Sequence, residues 1–183
     1  MKRFCSQLTF CAPDKVLKQA IIEQNQENVI TAILSLSELR SETSHTLFLD
    51  GIISTEIISL KEHLSPADLH NIKETYQYVD LSGIDTNIHI DVSHSHNKPL
   101  IIDFGTSATE TINKYLKNSF PFLYKFPAIE IIAACTYYPS LITHQPFKIE
   151  IGEKANLILW KGINLVNKEI TGKIRTENIS SGI

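Results

Sequence analysis

The chain has 183 residues, 43% of them apolar, and its 17 Lys+Arg against 20 Asp+Glu give a net charge of -3. Enough Ile, Leu, Val and Phe are present to bury, which argues against disorder. The slightly acidic balance argues against a nucleic-acid module built on a basic face, because neutralising phosphates needs clustered cations. The size suits one domain, or two small ones that share a core.

Cys5, Cys11 and Cys135 are too sparse for a disulfide framework and lack zinc-ligand spacing, so a reducing cytoplasm is expected. The opening segment carries a basic pair, Lys2-Arg3, but Ser6, Gln7 and Thr9 interrupt its apolar run. It reads as a strand and not as a signal peptide. No run approaches the ~20 apolar residues of a membrane helix, so no membrane partner is expected.

Strands lead the chain. Arg3 to Phe10 alternates, Ala12-Pro13-Asp14 turns, and Val16 to Glu23 reads as a second strand. Gln24 to Asn28 reads as a hairpin connection, followed by strands at Val29 to Leu34 and Thr46 to Asp50. Ser65-Pro66-Ala67-Asp68 then predicts a helix start, with Ser65 as N-cap and Pro66 at the first helical position. Leu69, Ile72, Tyr76 and Val79 follow at helical spacing. Ile84 to Val92 reads as a strand and Pro99 to Phe104 as a buried one. Ser107 to Asn118 and Phe126 to Tyr138 read as helices, the second ended by Pro139. Strands return at Phe147 to Ile151, Leu157 to Trp160 and Glu169 to Arg175. One physical solution is that both ends pair into a β-sandwich while the middle packs beside it.

Gly152-Glu153-Lys154-Ala155-Asn156-Leu157-Ile158-Leu159 resembles the Gly-Lys-x-Ala-Asp-Leu-Val-Leu turn and strand that follow the barrel in metal-dependent amidohydrolases of the chlorohydrolase and cytosine-deaminase type. Ala134-Cys135-Thr136-Tyr137-Tyr138 resembles that family's Ala-Thr-x-Asn-x-Ala helix, and Leu100 to Ser107 its last barrel strand. Phe48-Leu49-Asp50-Gly51-Ile52-Ile53 resembles the segment leading to its Pro-Gly-Phe-x-Asn-x-His-x-His. The resemblance implies an α+β fold. Residues 1–60 and 146–183 would form a discontinuous β-sandwich, and residues 61–145 a short α/β remnant of the amidohydrolase barrel.

The departures carry the functional expectation. The family's His-x-His falls on Lys61-Glu62-His63, so a cation replaces one metal-binding imidazole, and the metal-binding aspartate falls on Ser107. Asp103 stands two residues before Gly105, and on a strand that does not substitute for a residue beyond Thr106. Only about forty residues separate Lys61 from Leu100, where a complete barrel needs ~250. The expectation is a degenerate, non-catalytic binding or assembly protein without metal or cofactor, homodimeric, its ligand unreadable. The alternative is a metal-dependent hydrolase acting on C–N bonds, and a third reading is a subunit that completes a partner's fold.

Each tempting constellation has a plain counterpart. His89, Asp91, His94 and His96 lie close together, and His94-Ser95-His96 could place two imidazoles on one strand face. With His63 they are the metal candidates, against which stands a solvated polar loop before Pro99. Cys135 could be a nucleophile, but it follows Ile131-Ile132-Ala133-Ala134 and reads as a core thiol. Glu56, Glu62 and Asp103 could form an acid–base set, although nothing in their spacing pairs them. Gly105-Thr106-Ser107 could bind an anion at a helix start or cap that helix, with Glu110 completing a capping box. The aromatic stretch Tyr115 to Phe126 reads as core or as a covered flank where copies meet.

Overall fold

A computed structural model describes residues 1–38, 45–82, 98–118, 123–145, 148–167 and 169–180. Nine strands and four α-helices are found among them. The strands are β1 (Lys2–Ala12), β2 (Lys15–Lys18), β3 (Ala20–Gln24), β4 (Ile30–Ser35), β5 (Thr46–Thr55), β6 (Gln77–Asp80), β7 (Leu100–Asp103), β8 (Leu157–Asn164) and β9 (Glu169–Asn178). The helices are α1 (Pro66–Thr75), α2 (Thr109–Asn118), α3 (Ala128–Cys135) and α4 (Tyr137–Thr143), and a short 3-10 turn covers Leu60–Glu62. The chain is α+β. Seven strands form one sheet in the order β4-β3-β1-β5-β8-β9, with β2 also paired to β1, while β6 and β7 form a parallel pair.

Strands from the two ends of the chain meet in this sheet, through β5 and β8. Ile52 opposes Trp160 and Thr55 opposes Leu157 in an antiparallel ladder. Gly51 makes the approach possible: its φ is +150°, and a Cβ there would lie 2.2 Å from the Trp160 carbonyl oxygen. The expected second strand is present but broken. β2 and β3 keep one register against β1, and Gln19 between them has φ 50° and donates its N–H to the Gln7 carbonyl at 3.0 Å. The hairpin at Asn25 to Asn28 is held by the Asn25 carboxamide, which accepts from the N–H groups of Glu27 and Val29, both at 2.9 Å.

Both faces of the central strands are buried, with consecutive residues of β8 going to opposite sides. Ile158 and Trp160 join Leu8, Phe10, Ile52 and the helices α2 and α3 in the main core. Leu157 and Leu159 join Phe4, Ile22, Ile30 and Ile53 in a second core, which Ile149, Ala155 and Ile179 complete from outside the strands. Trp160 is fully buried and donates its indole N–H to Ser54 Oγ at 2.8 Å, so its one polar atom is satisfied. The outer edge of β9 is met at Thr176 by a side chain of α2: the Asn113 amide accepts from Thr176 N–H at 2.6 Å and donates to its carbonyl at 2.8 Å, standing in for a strand at that residue.

The expected cap of α1 is present, with Ser65 Oγ accepting from Asp68 N–H at 3.3 Å. The helix stops at Thr75, however, so Val79 belongs to β6 and is buried there against the sheet side of the middle segment. Helical spacing ran on through Val79 by coincidence, because Tyr76-Gln77-Tyr78-Val79 also carries strong strand preference. The single helix expected from Phe126 to Tyr138 is two, and Pro139 sits inside the second instead of ending the first. Proline has no N–H for the carbonyl four residues back. The Cys135 carbonyl, left without that partner, accepts from Ile58 N–H at 3.1 Å, so the helix break joins α3 to the chain leaving β5.

The strand expected at Phe147 to Ile151 is not formed by Lys148 to Ile151. These residues enter a turn whose Gly152 N–H and Glu153 carbonyl bond Ile30 of β4. The strand expected from Ile84 to Val92 lies outside the described residues. Tyr115 and Phe126 pack against the main core and Tyr124 is 56% exposed, whereas Phe120 and Phe122 are not described. No helix among the described residues is long and apolar enough to cross a membrane.

Candidate functional site

Parallel strands present ligand and catalytic groups at their carboxyl ends, where the connecting loops gather. Here β6 and β7 end in register on two carboxylates, Asp80 opposite Asp103. The 3-10 turn Leu60–Glu62 brings Lys61 across both ends. Its ammonium lies 2.5 Å from Asp80 Oδ2 and 2.5 Å from Ser82 Oγ, while its backbone N–H donates to Asp103 Oδ2 at 3.1 Å.

Asp103 is fully buried and accepts four hydrogen bonds, two on each oxygen. Oδ1 accepts from Ser59 Oγ and from Gly105 N–H, both at 2.8 Å. Oδ2 accepts from Lys61 N–H and, at 2.9 Å, from the Tyr78 hydroxyl. A carboxylate offers about four lone-pair sites, and all are taken. Gly105 is required for this closure: its φ is +71°, and a Cβ there would come 2.5 Å from Ser82 Cβ.

The electrostatics follow from the same contacts. Burial and the neighbouring Asp103 carboxylate push the Tyr78 phenol far above its usual range, so it stays a protonated donor. Burial alone would raise Asp80, but hydrogen bonds from Lys61 and Ser82 and the ammonium charge outweigh it and hold the carboxyl below its ordinary value. A depressed carboxylate contributes stability above its unfolded pKa of about 3.9, and this is lost as pH falls through the folded value. Urea unfolding of the wild type and of Lys61→Met should therefore differ near pH 6 and draw together only below about pH 4, as Asp80 takes up its proton in the folded state. A difference that stays constant with pH would contradict the assignment.

The other candidates disperse. His63 is exposed at the end of the 3-10 turn, and its N–H bonds the Leu60 carbonyl at 3.0 Å. His89, Asp91, His94 and His96 lie outside the described residues. Among the described residues, no three His, Cys, Asp or Glu side chains gather where they could hold a metal ion. Glu56 is exposed and accepts from the Asn156 amide at 3.0 Å, Glu62 accepts from Ser107 N–H, and Asp103 bonds neither, so no hydrogen bond joins the three carboxylates into one acid–base set. Cys135 is fully buried, and burial together with Asp103 pushes its thiol well above the usual range, opposite to what a nucleophile needs. Ser107 N–H donates to Glu62 Oε1 at 3.1 Å and Thr106 Oγ1 accepts from Ala108 N–H at 3.1 Å. The Ser107 N–H is thus occupied by a carboxylate of the chain itself, and Thr106 makes a local turn with Ala108 just before α2, not the expected cap with Glu110.

Sequence reading missed Ser59, Tyr78, Asp80 and Ser82. The available signal was the strand preference of Gln77 to Leu81, a second apolar segment parallel to Leu100-Ile101-Ile102.

No family model matches the sequence, and no curated protein matches it. Weak structural matches include N-acetyl-D-glucosamine-6-phosphate deacetylase from Mycobacterium smegmatis, at 6% identity and a TM-score of 0.25. A mutant of that enzyme in complex with N-acetyl-D-glucosamine-6-phosphate matches at 8% identity with the same TM-score. Each match covers 64% of this chain and 28% of the other, so the chain spans under a third of the length of these enzymes. At such TM-scores the matches establish neither fold nor activity.

Proposed function

We propose that the chain is a degenerate, amidohydrolase-like protein that does no catalysis and serves in binding or assembly. In this reading residues 1–60 and 146–183 are the composite β-sandwich, residues 61–145 are what is left of the barrel, and the protein works in the cytoplasm as a homodimer. The observation that carries the reading is the state of Asp103: four donors fill its carboxylate, and the ammonium of Lys61 lies beside it on Asp80. Metal ligands need free lone pairs, and a divalent cation is repelled by a fixed ammonium.

Asp103, the buried carboxylate nearest the old metal position, therefore has no lone pair left for a metal, and the residues at the old positions do not fit one either. Lys61 is an ion-pair partner and Ser107 gives its backbone N–H to Glu62. The strand ends have become a clasp that joins β6, β7 and the chain leaving β5. Metal content per purified chain tests the reading, with near-zero zinc, iron and manganese expected.

A further inference from the structure

We propose that the open half of β5, Thr46 to Asp50, is where two copies of this chain pair, antiparallel about a twofold axis at Phe48. This rests on the assembly reading above and names its partner.

β1 pairs with one side of β5 from Thr46 onward, but β8 covers the other side only from Ile52 to Thr55. Among the described residues, no strand is hydrogen-bonded to this side of Thr46 to Asp50, and only at Asp50 do Lys161 and Gly162 of β8 come near, lining a cavity with it. Open edges invite pairing unless they are guarded. The outer edge of β9 is met at Thr176 by Asn113, β2 carries Lys15 and Lys18, and the start of β4 is held by the Gly152–Glu153 turn. Thr-Leu-Phe-Leu-Asp has no lysine, arginine or proline. Its Leu47 and Phe48 are 41% and 64% exposed, while Ile33 and Leu34 on β4 are half-buried.

The segment is complementary to itself. Pairing about Phe48 sets Phe48 against its own copy, Leu47 against Leu49, and Thr46 against Asp50. Apolar residues meet apolar ones, and Asp50 falls at the end of the paired segment, away from them. Centring the pair on Leu49 or Asp50 would set Asp50 against Phe48 or against its own copy. Leu47 and Phe48 point to opposite faces of the strand, so one added strand covers both.

Sedimentation over a concentration series, with oxidative crosslinking, tests this. The wild type is expected at twice 20.6 kDa, and Phe48→Lys, with unchanged circular dichroism, as a monomer. Because Cys5 lies opposite Phe48 in β1, crosslinking is done in a Cys5→Ala background. There Phe48→Cys should bridge to its own copy, Thr46→Cys and Asp50→Cys should each stay unlinked alone, and a mixture of the last two should crosslink. A wild type that is monomeric at every concentration overturns the proposal, including one that instead captures a different protein. A dimer whose Phe48→Cys form crosslinks no faster than Thr46→Cys also overturns it, and this readout holds even where Phe48→Lys fails to fold. Either failure leaves the metal result untouched, so the two readings fail separately.

Discussion

Asp103→Asn is expected to destabilise the fold by about 3 kcal/mol, nearly as much as Asp103→Ala, although it preserves shape. Each carboxylate oxygen faces one backbone N–H, from Gly105 on Oδ1 and Lys61 on Oδ2. Whichever way an asparagine amide is turned, its NH2 meets a backbone donor. Ser59 and Tyr78 can rotate their hydroxyl hydrogens, but the two backbone groups have no other posture. Buried donors without acceptors cost roughly 1–3 kcal/mol each. For a chain of this size the loss lowers Tm by roughly 6–12 °C. Asp80→Asn, at a half-exposed ion pair, should cost under about 1 kcal/mol. Urea unfolding of the three variants checks the ordering, and an Asp103→Asn protein as stable as wild type would show that the clasp is not closed as described.

Gln24→Leu is the second large effect, expected at about 2–3 kcal/mol with an unchanged urea m-value. Gln24 is fully buried at the end of β3. Its amide donates to the Ala155 carbonyl at 2.6 Å and accepts from Ser180 Oγ at 3.0 Å, while Ser180 Oγ itself accepts from Leu157 N–H at 2.7 Å. This chain of bonds ties β3 to the start and end of the β8–β9 hairpin. Leucine fits the volume but orphans the Ala155 carbonyl in an apolar core. The Asn28 carbonyl keeps its bond from Ala155 N–H, which limits the cost. A stability within about 0.5 kcal/mol of wild type would mean that water or a shifted backbone satisfies the site.

The strands at the two ends were legible because alternation and turn residues are local signals, and the α1 cap was legible for the same reason. Ser65 and Pro66 announce a helix start in any context. What was not legible depended on distant partners. Val79 fits a helix face and a strand equally well, and only β7 beside it decides between them. Pro139 reads as a helix stop, yet it is tolerated in the first turn of α4, where an N–H has no partner within the helix, and Ile58 N–H takes the Cys135 carbonyl. The site shows the same division. Lys61 at the expected histidine position was visible, but the saturation of Asp103 was not, because Ser59, Lys61, Tyr78 and Gly105 converge only once β6 and β7 pair.

The measurement that tests the account most directly is metal per chain, by elemental mass spectrometry on protein purified without a histidine tag or chelator. The account predicts less than about a tenth of an equivalent of zinc, iron or manganese, since among the described residues a full carboxylate and a fixed ammonium leave no ligand set. Close to one equivalent, retained through dialysis, would contradict it and return the chain to the metal-dependent hydrolases.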